Sequence, residues 1–156
     1  AAEAKRASVI DAYAATLPSV YVVRPDDPRP EARMNYPTLG KDWRAIDDAD
    51  RQACLMRELE WGLTHSSMHE YVDLGIAAEL AAGKRKRFSF APMVITTGNL
   101  MAYEAIRLIL GHPGGADHRG YFFNPHKLRV EKPLPWPLSA AKRVLVRSFM
   151  AKMMAS

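Results

Sequence analysis

Apolar positions at near-helical spacing open the chain. Ala2, Val9, Tyr13 and Leu17, widened by Ile10 and interrupted by Glu3, Lys5, Arg6 and Asp11, predict a helix over 1–17. Pro18 ends that pattern, and the four apolar residues Val20, Tyr21, Val22 and Val23 predict a short buried strand. Pro25, Pro28, Pro30 and Pro37 then forbid regular helix or sheet ladders, so 24–46 reads as a proline-rich connector. Asp47, Asp48 and Asp50 suit a helix amino terminus, and Ala53, Leu55, Met56, Leu59 and Leu63 carry that helix to about Gly62. A second helix over 66–82 follows from Met68, Val72, Leu74, Ile76 and Leu80, with Gly83 as its stop.

After the basic run Lys84-Arg85-Lys86-Arg87, the triplet Met93-Val94-Ile95 reads as a strand and Thr96 or Thr97 as the cap of the best-defined helix. Leu100, Met101, Ala105, Leu108 and Ile109 predict its inward face, extended by Tyr103, Ile106 and Leu110. Glu104 and Arg107, three apart, predict a surface pair, and Gly111 with Pro113 predicts the end. Strands at 121–123 and 128–130 flank the turn signal Asn124-Pro125. Pro133, Pro135 and Pro137 make a stiff spacer, and a basic amphipathic helix closes the chain from Ser139 to about Met154. The expected organisation is therefore 1–23 helix and strand, 24–46 connector, 47–133 a main α/β region, and 134–156 spacer and helix.

Composition narrows the class without fixing the function. In 156 residues, 48% are hydrophobic and 25% charged, ordinary for a globular protein and too apolar for a disordered chain. The net charge of +5 permits a polyanionic or acidic partner and demands none. A single cysteine, Cys54, excludes an internal disulfide and any multi-cysteine metal site in this chain. No apolar run reaches the ~18 residues of a membrane span, and charged residues break up the start where a signal peptide would be apolar. A cytoplasmic location is the expectation. The first residue is Ala, which fits a processed or truncated piece.

Four groups of residues could carry chemistry. His65, His69 and Asp73, four apart, would line one face of a continuous helix and could hold a divalent metal, although Ser66 also reads as a helix cap that would break the alignment. Cys54 could act as a nucleophile if Arg51 and Arg57 outweighed the aspartates before it; a small buried hydrophobe is the plainer reading. Lys84, Arg85, Lys86 and Arg87 with Phe88 and Phe90 combine charge and stacking, the ingredients of single-strand nucleic-acid binding, yet a solvated basic turn looks the same. The last helix sets Lys142, Arg143, Arg147 and Lys152 among apolar residues and could dock on a partner. Neither G-x-G-x-x-G nor G-x-x-x-x-G-K-[ST] occurs, so nucleotide binding by either device is not expected of this chain.

The segment Met93-Val94-Ile95-Thr96-Thr97-Gly98-Asn99-Leu100-Met101-Ala102-Tyr103-Glu104-Ala105-Ile106-Arg107-Leu108-Ile109-Leu110-Gly111 resembles the late helix of the E1-like adenylyltransferases, the family of ThiF, MoeB, HesA and the ubiquitin-activating enzymes. Members place a short apolar strand and a small-residue turn before this helix, as Met93-Val94-Ile95 and the residues after it are expected to do here; the following pair of predicted strands is similar too, and the likeness covers about 88–133. The resemblance implies a mixed, helix-rich α/β fold, the carboxy-terminal part of a Rossmann-like E1/ThiF-type scaffold. It implies ATP-dependent adenylation of a protein or peptide carboxylate. ATP and Mg would be held by a missing amino-terminal half, since that half carries the family's nucleotide loop, arginine and metal-binding aspartate. Expected partners are that half or a second chain, a ubiquitin-like or sulfur-carrier protein, and another copy in a homo- or hetero-oligomer; nucleic acid is not expected. Some members place a catalytic cysteine upstream of the helix, which is the side on which Cys54 lies; the family's CxxC zinc pairs have no counterpart. The alternative is a basic interaction module that binds a protein partner or nucleic acid.

Overall fold

The computed structural model of the chain describes residues 5–14, 16–86 and 90–155. It is a mixed α/β structure whose strands form one antiparallel sheet, and it divides into two compact units: 1–30 with 89–133, and 31–88 with 134–156. The division at 88/89 falls within the expected 47–133 region.

In the first unit, β1 (Val9–Ala14) and β2 (Pro18–Val23) pair through the register Val9↔Val23 to Ala14↔Pro18. After α4 (Ala91–Ile109), β3 (Tyr121–Asn124) pairs with β2, and β4 (Arg129–Glu131) with β3, giving the order β1-β2-β3-β4. The inner strand β2 is buried along its whole length: its apolar run Val20–Val23 calls for this, and Ser19, also buried, bonds its hydroxyl to the Tyr13 carbonyl. Val20, Val22, Ala116 and Tyr121 form the core, with Ile10, Ala12, Leu100 and Met101 packed against it.

The opening segment overturns its helical expectation: 9–14 is an edge strand. Ile10 and Ala12 pack on the core while Tyr13 stacks edge-on against Tyr21, ring centres 5.8 Å apart, so a period of two decides over the four-residue spacing of Val9, Tyr13 and Leu17. Pro18 begins a strand instead of ending a helix.

α4 also differs from expectation. Met93-Val94-Ile95 is its first turn, not a strand; Phe90 is the N-cap, and Pro92 lies in the first turn, where a missing N–H costs nothing. Thr97, expected as a cap, is buried mid-helix and donates its hydroxyl to the Met93 carbonyl at 2.7 Å. The face turned to the sheet carries Met93, Thr97, Leu100, Met101 and Glu104. Tyr103, Ile106, Leu108, Ile109 and Leu110, expected inward, are exposed.

The hairpin formed by β3 and β4 matches the sequence pattern. Asn124 is fully buried; its Oδ1 accepts from the backbone N–H of His126 and Lys127, both at 3.0 Å, and its Nδ2 donates to Glu131 at 3.0 Å.

In the second unit, the connector holds only short α1 (Pro30–Arg33), at whose first residue the division falls, and a 3₁₀ turn at Trp43–Ala45. α2 (Asp48–His65) starts where the aspartates place it: Asp47 caps the Asp50 N–H at 2.8 Å and Asp50 returns the bond. The second expected helix is instead a 3₁₀ turn (Met68–Glu70) followed by α3 (Leu74–Ala81), capped by Asp73. α5 (Leu138–Ala155) packs on α2 and α3 through Ser139, Val146 and Met150. No helix among the described residues is long and apolar enough to cross a membrane.

Candidate functional site

The sequence-derived candidates do not converge. His65 ends α2, buried and with its ring 4.0 Å from that of Trp61; His69 is exposed in the 3₁₀ turn; Asp73 is spent on the Ile76 N–H at 3.0 Å. They lie on three different elements because Ser66 is the C-cap of α2, its N–H and hydroxyl both donating to the Gly62 carbonyl. No group of three or more His, Cys, Asp or Glu side chains among the described residues could hold a metal ion.

Cys54 is half-buried on α2, with Sγ 3.4 Å from the Thr38 hydroxyl. It stands in the second turn of the helix, beyond its amino-terminal N–H groups. Lys84, Arg85 and Lys86 are exposed after α3, where Arg85 pairs with Glu79 at 2.5 Å. Arg87 and Phe88 lie outside the described residues.

Two polar centres emerge that sequence reasoning missed. The first is on α4. Glu104 is buried, not part of a surface pair, and its Oε2 accepts the Ala116 N–H at 3.1 Å. Arg107 donates to the Pro113 carbonyl. Together they clasp the loop 111–116 from one side. Gly114 and Gly115 take φ of +82° and +84°, and a Cβ at Gly115 would fall on Glu104 Oε2 and Arg107 Nε, so glycine is required twice over. Burial, then the Glu104 charge and a hydrogen bond to its carboxylate, push the Tyr121 phenol up to about 12, against a smaller opposing effect of Arg107. Tyr121 therefore stays a neutral donor to Glu104 at physiological pH. The signal was present: Glu104 sits at helical spacing from Thr97, Leu100 and Met101, in a row where a charged residue is out of place.

The second centre joins α2 to α5. Glu60 is buried, its Oε2 bonded by Arg57 at 3.0 Å and its Oε1 by Arg147 at 2.9 Å, with Arg143 at 3.6 Å. Beside it Lys142 Nζ donates to the Ser66 carbonyl at 2.9 Å. Three guanidinium groups thus meet one carboxylate.

Comparison with known proteins adds no neighbour: no family model, no curated protein and no solved structure matches the chain.

Proposed function

We propose that this chain is the carboxy-terminal part of an E1-like adenylyltransferase that activates a protein or peptide carboxylate. The observation that carries the reading is the α4–loop–hairpin succession. The segment Asn99–Gly111, in which the resemblance is densest, lies in one long helix up to its end, and an antiparallel pair of strands follows. Its buried Glu104 and its exposed Ile106 and Ile109 support the reading in different ways. Glu104 fixes the loop before β3, a rigid edge for a substrate groove. The outward apolar row is surface that a nucleotide-binding half would cover.

The chemistry of such an enzyme joins a carboxylate oxygen of the substrate to the α-phosphorus of ATP. The bond between the α- and β-phosphates breaks and pyrophosphate leaves with the electron pair. ATP and Mg belong to the missing half in this reading, and no residue of this chain is assigned to them. The Rossmann-like character would likewise come from that half, with the antiparallel sheet as this chain's contribution. Cys54 is the candidate for a later thiol step.

ATP binding tests the reading. The chain joined to an upstream segment carrying a strand and G-x-G-x-x-G should bind a fluorescent ATP analogue, and each part alone should not. Failure of the joined protein to bind, with salt-dependent binding of single-stranded nucleic acid by this chain, would favour the basic module instead.

A further inference from the structure

The last helix was singled out by its charge, and the proposed function leaves that charge unused. Its arginines meet α2 at Glu60, where Arg57, Arg143 and Arg147 share one carboxylate. A single carboxylate cannot balance three guanidinium groups, so two positive charges are left over at one place. Glu60 engages Arg143 and Arg147 through Nε only, on its Oε1. The outer N–H groups of both forks remain open, and the side chains are 41% and 56% exposed. Lys142, on the same helix, is held on the Ser66 carbonyl at the end of α2 and is not counted in this surplus.

We propose that Arg57, Arg143 and Arg147 form a phosphate-binding site, with Glu60 as the residue that positions the guanidinium forks. The surplus of two charges matches a phosphate, which carries about −1.5 to −2 at neutral pH, better than a carboxylate of one charge. Planar forks suit a tetrahedral oxyanion because each offers two parallel N–H donors. Part of the ordinary cost of ordering long side chains is already met by Glu60, which hydrogen-bonds Arg57 and Arg147 and has Arg143 at 3.6 Å. The ligand is a small phosphorylated molecule or free phosphate. The site does not depend on the adenylyltransferase reading, because it needs neither ATP nor the missing half.

Thermal unfolding of the whole chain, with inorganic phosphate added at constant ionic strength, tests this. Phosphate should raise Tm in a saturable way that chloride and acetate do not reproduce. A small phosphomonoester, phosphoserine, separates the two sources: a larger rise than with inorganic phosphate at equal concentration assigns the site to a phosphorylated molecule, and an equal or smaller rise to free phosphate. Arg143→Gln with Arg147→Gln should weaken phosphate binding by about tenfold or more, since a charged hydrogen bond is worth about a decade of affinity. Arg143→Lys with Arg147→Lys keeps the charge should the first pair fail to fold, and should still lose affinity. Glu60→Gln supplies a readout that a purely structural role would not give: the forks lose the carboxylate that orders them, so the phosphate-induced rise in Tm shrinks, whereas a merely structural Glu60 would lower the starting Tm and leave that rise unchanged. No phosphate-specific rise in the wild-type chain, or an equal rise in the arginine variants, overturns the proposal.

Discussion

At the scale of single residues, the firmest constraints surround Glu104. Gly115→Ala should destabilise the chain by roughly 1–3 kcal/mol, since it combines a left-handed backbone with a collision against Glu104 and Arg107. Chemical denaturation checks this, and a loss below ~0.5 kcal/mol, the range of an ordinary surface substitution, would mean that the loop is not clasped. Tyr121 gives a pH signature. Its phenol is raised to about 12 from the ordinary 10.0, so the folded state keeps the proton where the unfolded state gives it up. That contribution is fully present below pH ~10 and is lost as pH rises toward ~12. Tyr121→Phe should flatten the fall in stability over that window; an unchanged slope would show that burial and Glu104 do not hold the phenol's proton. These roles were only half legible in the sequence. Gly114-Gly115 read as a turn, and Glu104 and Arg107 read as a pair. What spacing could not reveal is that Glu104 faces inward and that each side chain bonds the loop and not the other, because three-residue spacing holds on every side of a helix.

At the scale of elements, strong local chemistry was legible and weak periodicity was not. The Asp47 cap and the Asn124 turn follow from side chains that bond their own neighbouring backbone, and the Gly83 stop from a positive φ that glycine adopts without steric cost, so no distant part of the chain can reassign them. The strand 9–14 and the inward face of α4 depend on which surface meets the core, a tertiary outcome. In α4, apolar residues lie almost all round, so pattern alone could not choose between the row of Leu100 and the row of Leu108. The exposures decide it. Leu108→Ala should cost under ~1 kcal/mol, whereas Leu63→Ala, at 3% exposure in α2, should cost about 2–5 kcal/mol. Denaturant midpoints of the two variants check this, and equal losses would place Leu108 in a core after all. The site candidates failed to converge for a related reason: Ser66 and Asp73 are caps, and caps break the helix on which His65, His69 and Asp73 would have aligned.

At the scale of the whole molecule, the chain is two units, one built on an antiparallel sheet and one on packed helices. Cys54 lies in the second, and the α4 resemblance, but for its upstream margin, in the first. If Cys54 carries a thiol step, Cys54→Ser abolishes thioester formation by the joined enzyme and leaves adenylate formation intact; unchanged thioester yield makes it structural. The most direct test of the central claim is pyrophosphate exchange into ATP by this chain joined to an upstream segment that carries a strand and G-x-G-x-x-G. Exchange that depends on a carboxylate substrate, and that falls when Glu104→Ala frees the loop, is the predicted result. A joined protein that holds ATP but shows no carboxylate-dependent exchange with any ubiquitin-like, sulfur-carrier or peptide substrate would contradict it.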